Sequence, residues 1–141
     1  MKIEVKRLND KFRMEAKNED GNLILMDGSP DIGGEGTGFR PMQLLLAAVG
    51  GCSSIDILLI LNKQKQIVQD FKVEIEGVKE KVESHSIFKD IVLHYKVEGE
   101  VELEKVHRAI KLSLEKYCSV SKTLEAYSNI TYKLTLNGNE G

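Results

Sequence analysis

The chain has no tryptophan, only two prolines and two cysteines, and no excess of either charge. A formal net charge of -2 over 141 residues leaves no basic footprint, so nucleic acid is not an expected partner. The cysteines, Cys52 and Cys118, lie 66 residues apart, which excludes a CxxC redox pair and a zinc knuckle. His85, His94 and His107 form neither an HxxxH nor an HExxH pattern, so the spacing predicts no metal site and no bound cofactor. The glycine-rich stretch Gly28 to Gly38 fits neither GxGxxG nor GxxxxGK[ST], and no lysine follows it at the helix start. Its glycines read as a loop permitting positive φ and close backbone approach.

One long apolar run is present. Met42 to Leu61 matches the ~20 residues that a bilayer requires. It contains Gln43, Ser53, Ser54 and Asp56, with Gly50-Gly51 at its centre, and a charge near mid-bilayer costs roughly 2.5–3.5 kcal/mol. A protein-buried helix is therefore expected, with no membrane partner. At the N-terminus, Lys2, Glu4 and Lys6 alternate with Ile3 and Val5, a strand pattern and not a signal peptide. Two cysteines without an export signal fit a reducing cytoplasm, where a stable structural disulfide would be unusual.

A single domain over 1–141 is expected from the length. Residues 2–7, 11–17 and 23–27 alternate as strands, with Asp20-Gly21 in the second turn. An apolar helix follows from about Pro41 to near Gln64, with proline well placed just inside its start and Gly50-Gly51 as a point of loosening. Phe71, Val73 and Ile75, then Ile91, Leu93, Tyr95 and Val97, give two half-buried strands joined by a charged hairpin near Lys79 to Ser86. Leu103, Val106, Ile110 and Leu114 share one face of a helix over about Glu102 to Tyr117. Ser119 or Ser121 could cap a short helix through Lys122 to Tyr127, and Ile130 to Leu136 form the last strand. The order βββ-α-ββ-α(α)-β, with antiparallel sheets, predicts an α+β fold. Because its first helix is too apolar for one sheet face to cover, a partner subunit is expected.

Either cysteine alone reads as a small buried core residue. Three features favour chemistry. Gly50-Gly51 leaves room before Cys52, Cys118 falls at a helix junction where a thiol can be exposed, and neighbouring Ser53, Ser54, Ser119 and Ser121 could hydrogen-bond a thiolate.

Gly36-Thr37-Gly38, the run from Arg40-Pro41-Met42-Gln43 through Leu44-Leu45-Leu46-Ala47-Ala48-Val49 to Gly50-Gly51-Cys52, and the late Tyr117-Cys118 with Ser121 resemble the OsmC/Ohr family. These proteins confer thiol-dependent resistance to organic hydroperoxides, and the match is to a branch whose helix reads RPM-x-LLLAA-x-GGC. The resemblance implies an OsmC-like α+β fold, an intertwined homodimer with central cysteine helices, and active sites at the subunit interface. It implies a Cys52 thiolate that attacks a hydroperoxide and a Cys118 that resolves the sulfenic acid, with an external dithiol as reductant. In the family an arginine from the N-terminal hairpin activates the thiol, held by a glutamate after the helix proline. Here Arg13 and Arg40 are the candidate cations, Met42 and Gln43 stand where carboxylates are expected, and Glu35 is a candidate replacement. Met42, Gln43 and Gly51 would line the substrate pocket. The alternatives to a peroxidase are a module binding an apolar or thiol-reactive ligand, favoured by Met42, and a structural dimer with buried thiols.

Overall fold

The computed structural model describes residues 1–141. The chain folds into two compact units, Met1–Leu45 and Leu46–Gly141. In the first, β1 (Ile3–Arg7), β2 (Met14–Asn18) and β3 (Leu23–Met26) form an antiparallel meander in the order β1-β2-β3. Asn18 closes the second turn with its side chain, whose Oδ1 accepts from the amides of Asp20 and Asn22. The following loop is less featureless than its glycines suggest, since Pro30–Ile32 makes one 3-10 turn.

Helix α1 (Pro41–Lys63) begins in the first unit and continues through the second. It is unbroken at the glycine pair, and the two glycines differ. A Cβ on Gly50 would come 2.6 Å from Ile75 Cδ1, so this position lets the helix lie close against its sheet. At Gly51 nothing lies within 4 Å, and that side is open. The space expected before Cys52 therefore belongs to Gly51 alone.

The sheet of the second unit has the order β4-β5-β6-β7. Strands β4 (Ile67–Val82) and β5 (His85–Glu100) are 16 residues each and form one long hairpin turning at Glu83, well beyond the expected spans. Gly99, at φ 141°, sits at the bulge between Val68 and Asp70, where a Cβ would come 2.1 Å from the Ile67 carbonyl oxygen. On β5, Ile91, Leu93, Tyr95 and Val97 are buried and alternate with more exposed residues, as the period of two requires. Their partners in the core are Val49, Ile57 and Leu61 of α1 and Val106, Ala109 and Ile110 of α2 (Leu103–Leu112).

The expectation of antiparallel sheets fails at one pairing. β6 (Asn129–Leu136) runs parallel to β5, while its hydrogen bonding with β7 (Asn139–Glu140) is antiparallel. The cause is the connection: α2, a π-helical turn at Ser113–Tyr117 and α3 (Ser119–Leu124) carry the chain back to the end where β5 began. A helical crossover of this kind delivers a parallel strand. The second helix is correspondingly shorter than its apolar face implied, and α3 starts three residues earlier than Lys122.

Alpha1 is long and apolar enough to cross a membrane by length and composition. In the fold it instead carries buried Val49, Ser53, Ile57 and Leu61 on the side of the second unit's core. Ile55, Leu58 and Leu59 remain exposed, with Ile55 at 62% and Leu59 at 53%. Together with Asn62, Gln66, Ile67 and Val68 they line an apolar groove.

Candidate functional site

The second unit brings both cysteines together. The Sγ atoms of Cys52 and Cys118 and a carboxylate oxygen of Asp56 all lie within 4.8 Å of one another. Cys52 and Asp56 are four residues apart on α1, so helical geometry stacks them on one face. Both are half-buried, whereas Cys118 is fully buried.

Cys118 reaches this position through the π-turn. Its amide donates to the Ser113 carbonyl at 2.7 Å, a five-residue reach that closes the wide turn. It then serves as N-cap of α3, and its Sγ accepts from the Ser121 amide at 3.3 Å. Neither Ser119 nor Ser121 is the cap. The helix junction also buries the thiol where the sequence suggested exposure. Burial pushes the Cys118 thiol up to about 11, with the neighbouring Cys52 thiol and the Asp56 carboxylate adding to the shift.

The hydroxyls around the pair are committed elsewhere. Ser113 Oγ donates to Asp56 Oδ2 at 3.0 Å, tying the π-turn to α1. Ser53 and Ser54 both donate to the Gly50 carbonyl, and the Ser121 hydroxyl donates to the Leu114 carbonyl. Tyr95, buried on β5, donates its hydroxyl to Ser53 Oγ at 2.7 Å. Its burial raises the phenol far above its ordinary value, so it stays neutral. Leaving that hydroxyl unpaired would cost about 1–3 kcal/mol, more than the ~1 kcal/mol a made bond contributes, so the bond fixes β5 in register with α1. None of the four ion pairs involves Asp56.

The first unit holds the candidate cations. Arg13 donates from Nε and Nη2 to Thr37 Oγ1 at 2.9 and 2.8 Å. That hydroxyl donates in turn to Asp27 Oδ2 at 2.8 Å. Asp27 is buried at 2% exposure and also accepts from the amides of Gly28, Glu35 and Thr37. The Thr37 hydroxyl, then the amides, hold its carboxyl below the ordinary value of 3.8 against the opposing cost of burial. Asp27 thus orients Arg13 through Thr37. Sequence reading passed over it, although it directly precedes the glycine loop whose amides it gathers. Glu35, the expected replacement carboxylate, accepts instead from Asn9 Nδ2 at 3.0 Å. Arg40 donates from Nη1 to the Gly38 carbonyl, and its amide donates to Gln43 Oε1 at 2.9 Å. Gln43 therefore closes half of a capping box at the start of α1. Met42 beside it is half-buried.

Residues 34–133 match the family model of the OsmC-like protein. The chain belongs to the OsmC-like protein family. Protein YhfA of Escherichia coli (strain K12) is 41% identical over 113 residues, covering 79% of this chain and 81% of that protein. A hypothetical protein from Aquifex aeolicus VF5 is 30% identical in its solved structure, with TM-score 0.78 over 96% of both chains. An organic hydroperoxide resistance protein OsmC from Legionella pneumophila shares the fold at 18% identity. Its TM-score is 0.73, over 96% of this chain and 97% of that one. The OsmC-like α+β fold with two sheets and the apolar cysteine helix is thereby shown.

Asp27 sets a pH dependence with a definite sign. Its carboxyl is depressed on folding, so the stability it contributes is present above 3.8 and is lost as pH falls through the lower folded value. Unfolding by urea, followed by circular dichroism, should show wild type losing this contribution as pH falls through 3.8 and on through the lower folded value. Asp27→Asn should be less stable at neutral pH and show a flatter acid limb. Equal acid limbs in the two proteins would contradict the role.

Proposed function

We propose that this OsmC-like protein is a cysteine-based peroxidase that reduces organic hydroperoxides in a reducing cytoplasm. The observation that carries the reading is the approach of Cys52 and Cys118, two thiols from distant parts of the chain, to within 4.8 Å beside Asp56. The name of the Legionella pneumophila relative, an organic hydroperoxide resistance protein, supports the same class of substrate.

The two thiols differ in a way that assigns their order. A thiol held up at about 11 is thiolate in only about one molecule in ten thousand at neutral pH, so Cys118 is a poor first nucleophile. Cys52, half-buried and next to the open side at Gly51, is the thiol a substrate can reach. Its thiolate attacks the terminal oxygen of the hydroperoxide. An S–O bond forms, the O–O bond breaks, and the alkoxide leaves as alcohol after taking a proton. Cys118 then attacks the sulfenic sulfur, releasing water and forming the disulfide. Asp56 is the carboxylate placed to take the Cys118 proton and pass it to the departing hydroxyl. An external dithiol returns both sulfurs to thiols by exchange.

A cation beside a cysteine favours its thiolate. Of the two candidate cations, Arg13 is held by Thr37 and Asp27, whereas the Arg40 guanidinium is turned to its own loop carbonyl.

The active unit in this reading is a homodimer. The exposed α1 residues Ile55, Leu58 and Leu59 form an apolar groove that a second copy would cover. Sedimentation equilibrium should give twice the 15.8 kDa chain mass, and Leu59→Glu should give the monomer. A wild-type monomer at micromolar concentration would remove the dimer from the account.

Replacement of each cysteine tests the chemistry. With cumene hydroperoxide and a dithiol, Cys52→Ser should consume no peroxide above background. Cys118→Ser should react once and accumulate a dimedone-reactive sulfenic acid or its over-oxidised products on Cys52. Turnover that survives in Cys52→Ser would sink the assignment.

A further inference from the structure

The thiol pair has a third member that the peroxide reaction does not need at rest. Cys52, Cys118 and Asp56 offer two sulfurs and one carboxylate oxygen, all within 4.8 Å of one another, from two separate elements. Two soft ligands and one hard one, converging on a common point with no lysine or arginine paired to the carboxylate, form a donor set for a borderline-soft divalent ion. We infer that the reduced protein binds one zinc ion per chain through Cys52, Asp56 and Cys118, with a fourth position left open to water.

The dimensions agree with this assignment. Tetrahedral zinc with Zn–S bonds of about 2.3 Å holds two sulfurs about 3.8 Å apart. All three donor atoms lie within 4.8 Å of one another, a cluster of the size that such an ion spans. The outer support is already built: Ser113 Oγ donates to Asp56 Oδ2 at 3.0 Å, leaving the other carboxylate oxygen for the metal. The Ser121 amide donates to Cys118 Sγ at 3.3 Å, a contact that favours a thiolate ligand. The ion would displace the thiol protons as it binds and balance the charge of the two thiolates and the Asp56 carboxylate.

Sequence reading found no metal pattern, because the thiols are 66 residues apart and the third ligand is an aspartate inside an apolar helix. The topology supplies what the spacing does not. The consequence is exclusive occupancy: zinc and the Cys52–Cys118 disulfide use the same sulfurs, so bound zinc protects the pair from peroxide and oxidation expels the ion.

The inference shares its residues with the proposed peroxidase but not its chemistry, and the test uses no peroxide. Protein reduced with a phosphine under anaerobic conditions is titrated with zinc against a chromophoric chelator, and in parallel with cobalt as a spectroscopic probe. Expected are one zinc per chain and a thiolate-to-cobalt charge-transfer band, both lost in Cys52→Ser and in Cys118→Ser. Asp56→Asn should weaken zinc binding by more than about tenfold, and Ser113→Ala by about tenfold. Two outcomes would overturn the site: no zinc retained above the level of Cys52→Ser, or unchanged affinity in folded Asp56→Asn. Zinc binding without peroxidase activity would leave this site standing, and peroxidase activity without zinc binding would leave only the redox reading.

Discussion

The thiol site depends on one closure, the π-turn at Ser113–Tyr117 locked onto α1. Ser113 acts at both ends of it, accepting from the Cys118 amide through its carbonyl and donating to Asp56 through its hydroxyl. A regular α-helix through Tyr117 would close a four-residue reach and leave Cys118 on a different face. The wide turn instead sets the second thiol against the first. The same turn ends at Cys118, the N-cap of α3, within the crossover that lays β6 parallel to β5.

The electrostatics around this closure are unusual for reactive thiols. Asp56, buried hydroxyls and the apolar face of α1 surround the sulfurs in the second unit, and burial holds Cys118 protonated near neutrality. The charge that would favour a thiolate therefore has to be brought to them. A divalent ion on the thiols themselves is one physical way to supply it.

The cysteine helix was legible because its markers are local. Proline at its first turn, an apolar run and a glycine pair before Cys52 can all be read without tertiary information. The alternating strands were legible for the same reason, although not their length, since charged Lys79 to Glu83 continue the hairpin almost to its tip. The parallel direction of β6 was not, because strand order is visible in sequence and direction depends on where α2 and α3 return the chain. Asp56 carried a signal that was read for one purpose only. As the one acidic residue in the apolar run it argued against a membrane span, while its four-residue offset from Cys52 already placed both on one helix face. Ser113, Tyr95 and Asp27 gave no such local sign, since their partners lie across the fold or across a loop.

The proposed reaction requires Cys52 and Cys118 to act as one redox unit. Peptide mass mapping of the reduced protein after one equivalent of cumene hydroperoxide, with remaining thiols alkylated, tests it most directly. A Cys52–Cys118 cross-linked peptide formed within seconds and without intermolecular species is the predicted result. Two alkylated, unoxidised cysteines after minutes, or oxidation of Cys52 with Cys118 still free, would contradict it.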